Sequence, residues 1–174
     1  MKLLFLILLS GIICSFAQDL NTNVIWVPWS TSQDGVPDHA VVGGKDKNGL
    51  MYVIRAEHYH IDEKKNFTES FRGKVVGRYS PDIKFAAVPY FNLEYQKENF
   101  EVLTHTNYEW KTTNVHKVFI PGGYDSLNDP IYICRVAHKK FIIPGKIHIG
   151  SCWISFDGFE HQYRNWETLV KKNE

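Results

Sequence analysis

The chain has 174 residues, 44% of them hydrophobic, 22% charged and 14% aromatic, a balance too apolar and too weakly charged for a disordered chain. Its formal net charge is +1, so it lacks the excess of Lys and Arg that drives phosphate binding in nucleic acids or a polybasic grip on anionic membrane. Neither nucleic acid nor a membrane surface is expected as a partner.

Residues 1–17 hold one charge, Lys2, and an unbroken apolar run from Leu3 to Leu9. Ser15 and Ala17 are the small residues a signal peptidase requires before Gln18. This pattern predicts a secretory leader and a secreted, extracellular protein. The apolar stretch is shorter than the roughly 18 to 20 residues that span a bilayer, so no membrane span is expected. Without the leader, 157 residues carry 19 basic and 19 acidic side chains, and Cys134 and Cys152 are the remaining cysteines.

Short apolar or alternating runs bounded by Gly, Pro, Asn and Asp recur about every ten residues, and helical periodicity is hard to find. The class is therefore all-β. In chain order, strands are predicted near 24–29, 50–57, 73–79, 85–89, 100–104, 115–120, 131–137, 146–149, 152–156 and 166–170. Breaker clusters at 31–38, 45–49 and 124–130 separate them. Asn66-Phe67-Thr68, between the second and third of these strands, is the only glycosylation sequon and predicts an exposed loop at Asn66. On the later strand, Cys134 alternates with Tyr132 and Val136. A buried free thiol there competes with a disulfide to Cys152, because spacing alone does not set the distance between the two Cα atoms.

The strand list contains a repetition. Gly43-Gly44-Lys45-Asp46 corresponds to Gly122-Gly123-Tyr124-Asp125, and Tyr52-Val53-Ile54-Arg55-Ala56-Glu57-His58 to Tyr132-Ile133-Cys134-Arg135-Val136-Ala137-His138. Gly73-Lys74-Val75 then aligns with Gly145-Lys146-Ile147, and Phe100-Glu101-Val102-Leu103 with Trp166-Glu167-Thr168-Leu169. On this alignment the first copy carries eight extra residues after His58, the sequon among them. The expected organisation is a leader over 1–17, a first repeat over 18–107 and a second over 108–174. Units this small bury little core alone, so they should pack on each other.

Among the repeated residues, the paired glycines suit a turn with positive φ, leaving Asp46 and Asp125 at a loop edge. Each Asp could simply tie its own turn, and Lys74 and Lys146 could simply guard a strand edge. Together, a carboxylate accepting from neighbouring hydroxyls and an ammonium donating to a third suit a polyol. His58, His60 and Asp62 would share a face if their strand continued, but a metal site is not favoured, and no cofactor is expected. A Gly-x-Ser-x-Gly elbow, a zinc helix, a phosphate loop and a dinucleotide fingerprint are all missing, so an enzyme is not expected.

At these residues the chain resembles the DM-nine repeat family. The matching segments are Trp26, Pro37, Ala40 to Asp46, Tyr52 to Ala56, Gly73 to Val75 and Phe100 to Leu103, and in the second copy Pro144-Gly145-Lys146. The resemblance implies two antiparallel-sheet modules related by a pseudo-twofold axis and exchanging strands. It further implies mannose recognition by an Asp after the Gly-Gly pair and by the Lys of the Pro-Gly-Lys segment. Carried over, these are Asp125 with Lys146 and Asp46 with Lys74. The expected function is a secreted lectin for mannose-type glycans on microbial or host surfaces, with a role in innate immunity. The alternative is a salivary or venom effector that binds proteins through the same scaffold.

Overall fold

The computed structural model describes residues 24–61, 70–105, 107–112 and 119–172. The leader and the Asn66 sequon lie outside these residues, and so does Asp62 of the His58, His60 and Asp62 facet. Nearly all the described chain is antiparallel β. The first half forms β1 (Ile25–Ser30), β2 (Val42–Asp46), β3 (Gly49–Ile61), β4 (Ser70–Ser80), β5 (Phe85–Tyr90), β6 (Leu93–Gln96) and β7 (Asn99–Thr104). The second forms β8 (Tyr108–Lys111), β9 (Pro121–Tyr124), β10 (Pro130–His138), β11 (Phe141–His148), β12 (Ser151–Phe156), β13 (Phe159–Tyr163) and β14 (Glu167–Lys171). A 3-10 turn at Pro81–Ile83 is the helical element among the described residues, where no helix is long and apolar enough to cross a membrane.

The pairing pattern recurs strand for strand. In the first half β3 pairs with β2, β4 and β7, β7 with β1, and β4, β5 and β6 form a meander. In the second half β10 pairs with β9, β11 and β14, β14 with β8, and β11, β12 and β13 form the meander. The halves then exchange edges: β2 crosses to β11 through Lys45 and Ile142, β9 crosses to β4 through Tyr124 and Lys74, and β13 meets β6. These crossings close the sheet into barrel-like paths. The core is shared in the same way, with Trp26, Val53, Val76 and Leu103 packing against Ile120, Ile133 and Leu169.

The crossings explain the glycine pairs, and the reason differs from the expected turn. None of Gly43, Gly44, Gly122 and Gly123 has a positive φ; all four lie inside β2 and β9. A Cβ on Gly44 would lie 1.9 Å from the Ile142 carbonyl oxygen, and one on Gly123 would lie 1.9 Å from that of Lys74. Only a bare backbone lets the exchanged strand approach this closely.

The strand register also corrects the alignment of the lysines. Tyr52 faces Tyr79 and Arg55 faces Val76, whereas Tyr132 faces Ile147 and Arg135 faces Pro144. The counterpart of Gly145-Lys146 is therefore Gly77-Arg78, four positions beyond Gly73-Lys74. The packing agrees: a Cβ on Gly77 would strike the Ala87 carbonyl at 2.0 Å, and one on Gly145 that of Trp153 at 2.1 Å. Measured to these glycines, the extra length after His58 is twelve residues rather than eight.

Cys134 and Cys152 form a disulfide between β10 and β12 with Cα atoms 6.0 Å apart. The bridge passes behind β11, which lies between those two strands, and ties them through the second-half core.

Candidate functional site

Lys146 lies on β11 and is only 4% exposed. Its ammonium donates to the Pro89 carbonyl at 2.7 Å, pairs with Glu160 Oε1 at 3.1 Å and stands 5.0 Å from the centre of the Tyr90 ring. Glu160, on β13, uses its other oxygen to accept the Asn92 backbone N–H at 2.8 Å. That N–H belongs to the tight turn joining β5 to β6, in which Phe91 and Asn92 both have positive φ. Lys146 and Glu160 thus clamp a hairpin of the first half onto the second. Burial pulls the Lys146 pKa below the usual lysine value, and Glu160 opposes that shift. Burial, with Glu160, Tyr95 and Asp125 adding, pushes the Tyr90 phenol up to about 12, so it stays a neutral donor near pH 7.

Above this clamp is a cavity of about 250 Å³ walled by Tyr90, Phe91, Trp153 and His148, with Lys146 and Glu160 at its base. Trp153 donates its indole N–H to the His148 carbonyl at 3.0 Å, which fixes both walls. Asp125 stands across His148, its Oδ2 at 3.7 Å from the imidazole Nε2. Its Oδ1 accepts the backbone N–H groups of Leu127 and Asp129, both at 2.9 Å, so the loop is tied through one oxygen and the other is left toward His148. Asp125 and Lys146 are thereby brought to opposite sides of one histidine. The Lys146 cavity thus joins an ammonium, an imidazole and aromatic walls, and the Asp125 carboxylate stands outside it, on the other side of His148.

Asp46 and Lys74 are not brought together. Lys74 pairs with Glu101 at 2.7 Å, beside Arg55, which also binds Glu101 at 2.7 Å. Burial tends to raise the Glu101 pKa, but the two cations overrule it and hold the carboxyl low. Arg55 stacks on Trp26 at 4.5 Å, and Arg135 with Glu167 and Trp110 repeats this arrangement in the second half. Asp46 is occupied by Asn48, whose backbone N–H donates to Oδ1 at 2.7 Å and whose side-chain amide lies 3.4 Å from Oδ2.

The true counterpart of the clamp is Arg78 with Glu94. Arg78 pairs with Glu94 at 2.7 Å and donates to the Ser155 carbonyl at 2.9 Å, while Glu94 accepts the Gly158 N–H at 2.9 Å. Here the walls are gone. Ser80 stands where the second half has His148 and Ala87 where it has Trp153. The Arg78 guanidinium is covered by the Phe85 and Phe156 rings at 5.0 and 5.5 Å and by the Met51 sulfur at 3.8 Å.

His58 and His138 are buried near the far end of these strands. His138 Nδ1 meets the Tyr163 hydroxyl, and burial, with His161 and Lys139 adding, holds its pKa below the ordinary histidine value. His58 Nδ1 lies 3.2 Å from the Lys97 ammonium. Among the described residues no group of three or more His, Cys, Asp or Glu side chains could hold a metal ion. Glu94, Glu160, His148 and Trp153 were not among the residues predicted from sequence. The shared pattern of Leu93-Glu94-Tyr95-Gln96 and Phe159-Glu160-His161-Gln162 was the signal available for the two glutamates.

A family model for the DM9 repeat matches residues 50–163, more than half of the chain. No curated protein matches. Among solved structures, the nematode sperm cell motility protein MFP2B is similar, with a TM-score of 0.51 and 14% sequence identity over 86% of this chain and 46% of that one. At that identity the likeness is one of fold alone, and this chain spans less than half of that protein's length.

Proposed function

Because the chain belongs to the DM9 repeat family, we propose that it is a secreted, non-catalytic carbohydrate-binding protein that takes mannose-type glycans of microbial or host surfaces at the Lys146 cavity. One observation carries the reading: Lys146 and His148 line one cavity with the Tyr90 and Trp153 rings, and Asp125 Oδ2 stands 3.7 Å from the His148 imidazole. A hexose offers vicinal hydroxyls to a carboxylate and an ammonium and a C–H face to an aromatic ring, and few polar groups suffice when their positions are fixed. Two of the three ammonium donors of Lys146 are engaged by Pro89 and Glu160, which fixes the direction of the third.

A binding role is supported over hydrolysis because glycoside cleavage needs a carboxyl free to protonate a leaving group. Glu160 at the base of the cavity is instead held by Lys146 and by the Asn92 N–H. Secretion is supported by the predicted leader and by the Cys134–Cys152 bridge, which suits an oxidising compartment. Among the described residues the first half does not offer a second site of the same kind, so each chain binds one sugar at this site, and avidity for a surface requires several copies.

The test is retention of the purified mature protein on immobilised mannan. Asp125→Asn preserves the Oδ1 contacts to Leu127 and Asp129 and removes the anionic Oδ2, so the fold should survive while retention falls. Equal retention of Asp125→Asn and wild type would overturn the site, and no retention on any glycan of an array would favour the protein-binding effector.

A further inference from the structure

Beyond His148 lies a second cavity of about 390 Å³ that the clamp does not touch. Its polar lining includes Asp125, Asp129 and Tyr132, and its rim is formed by Leu127 on the loop between β9 and β10 and by Ile149 in the turn between β11 and β12. His148 lines both cavities, so the two lie on either side of one side chain. The first cavity is smaller than the roughly 300 to 1,000 Å³ usual for ligand sites, and the second falls within that range by itself.

The rim residues are expensive choices. Ile149 is 84% exposed and Leu127 80% exposed, the highest values among the large hydrophobics of the described residues. Ile149 also sits at φ 47°, a left-handed conformation that a β-branched side chain rarely adopts and that a tight hairpin turn ordinarily gives to Asn or Gly. A residue unfavourable both for its backbone and for its hydration, placed on the lip of a cavity, signals a contact made with something outside the chain. The carboxylates of Asp125 and Asp129 beside it disfavour an anionic lipid surface and favour a neutral, hydroxyl-rich partner.

The geometry points to a second saccharide subsite: the cavity beyond His148 takes the sugar residue next to the one held at Lys146. Asp129 accepts its hydroxyls, and Leu127 and Ile149 cover its C–H faces. This rests on the carbohydrate reading above and extends it from a single hexose to an oligosaccharide of at least two residues.

Calorimetric titration of the mature chain with D-mannose and with α1,2-, α1,3- and α1,6-linked mannobiose tests it. At least one mannobiose should bind tenfold or more tightly than mannose. Ile149→Asn, which suits the positive φ, should melt no lower than wild type and keep its mannose affinity, yet lose the disaccharide gain; Asp129→Asn should reduce the same gain. Mannose binding with no gain for any mannobiose would overturn the second subsite alone, as would Ile149→Asn keeping the full gain. No binding of mannose or of any mannobiose would overturn both this subsite and the reading on which it rests.

Discussion

Replacing Lys146 by Met removes one member of a buried ion pair while nearly conserving volume. The pair is almost dry, with side-chain exposures of 5% for Lys146 and 6% for Glu160. Methionine can fill the channel occupied by the lysine stem, so little of the cost is a cavity. What remains is a Glu160 carboxylate with the Asn92 N–H as its donor and a Pro89 carbonyl without its ammonium. Breaking a buried pair from one side typically costs about 3 to 5 kcal/mol, a large share of the roughly 5 to 15 kcal/mol that holds a domain together. Glu160→Gln should cost less, because the amide oxygen can still accept from Asn92 and Lys146 keeps Pro89. The double variant Lys146→Met with Glu160→Gln leaves no uncompensated charge and should be more stable than Lys146→Met alone. Urea denaturation of the oxidised protein, read as a shift of midpoint at constant slope, measures all three. A cost below about 1 kcal/mol for Lys146→Met, or strict additivity in the double variant, would show that the pair is not the clamp described.

Two other outcomes follow from the same structure. Gly44→Ala places a Cβ against the Ile142 carbonyl, a rigid backbone atom, and should cost at least the 1 to 3 kcal/mol typical of overpacking; Gly35→Ala meets nothing within 4 Å and should cost only the strain of its positive φ. Thermal melts that place the two variants level would refute the close crossing of β2 and β11. His138 has a folded pKa below its unfolded value near 6.5, so the unfolded chain gains protons first as pH falls. Stability is therefore full at neutral pH, falls as pH drops below about 6.5 and levels off below the folded pKa, with His105 adding in the same direction. Melting temperature between pH 7.5 and 5 should show this slope in wild type and a smaller one in His138→Gln; equal slopes would remove His138 as the cause.

Much of the fold was legible because period-two patterning marks half-buried strands. The predicted strands near 24–29, 50–57, 85–89, 100–104, 131–137 and 152–156 all have observed counterparts. Strands β2, β6, β8, β9 and β13 were missed. β2 and β9 were hidden by glycines that read locally as turns, since close approach of another strand is a tertiary demand that leaves no local trace. The lysine alignment failed for a related reason. Gly-Lys occurs at Gly73-Lys74 and at Gly145-Lys146, but the strand register places the latter against Gly77-Arg78, and one cation can replace the other in a buried clamp. Of the candidate site, Asp125 and Lys146 stood out as repeated polar residues and were paired through the family resemblance. His148, Trp153 and Glu160 were not, because they have no repeated partner or come from a strand that was not recognised.

The two halves share one pattern of strand pairing, whereas the proposed sugar site is a single one, built on Asp125, His148 and Lys146. The most direct test is the stoichiometry of mannose binding to the mature chain by calorimetric titration. One site per chain is expected, weakened at least tenfold by Asp125→Asn and unchanged by Asp46→Asn, because the Asp46 carboxylate is already occupied by Asn48. Two sites per chain, or equal weakening by both substitutions, would contradict it.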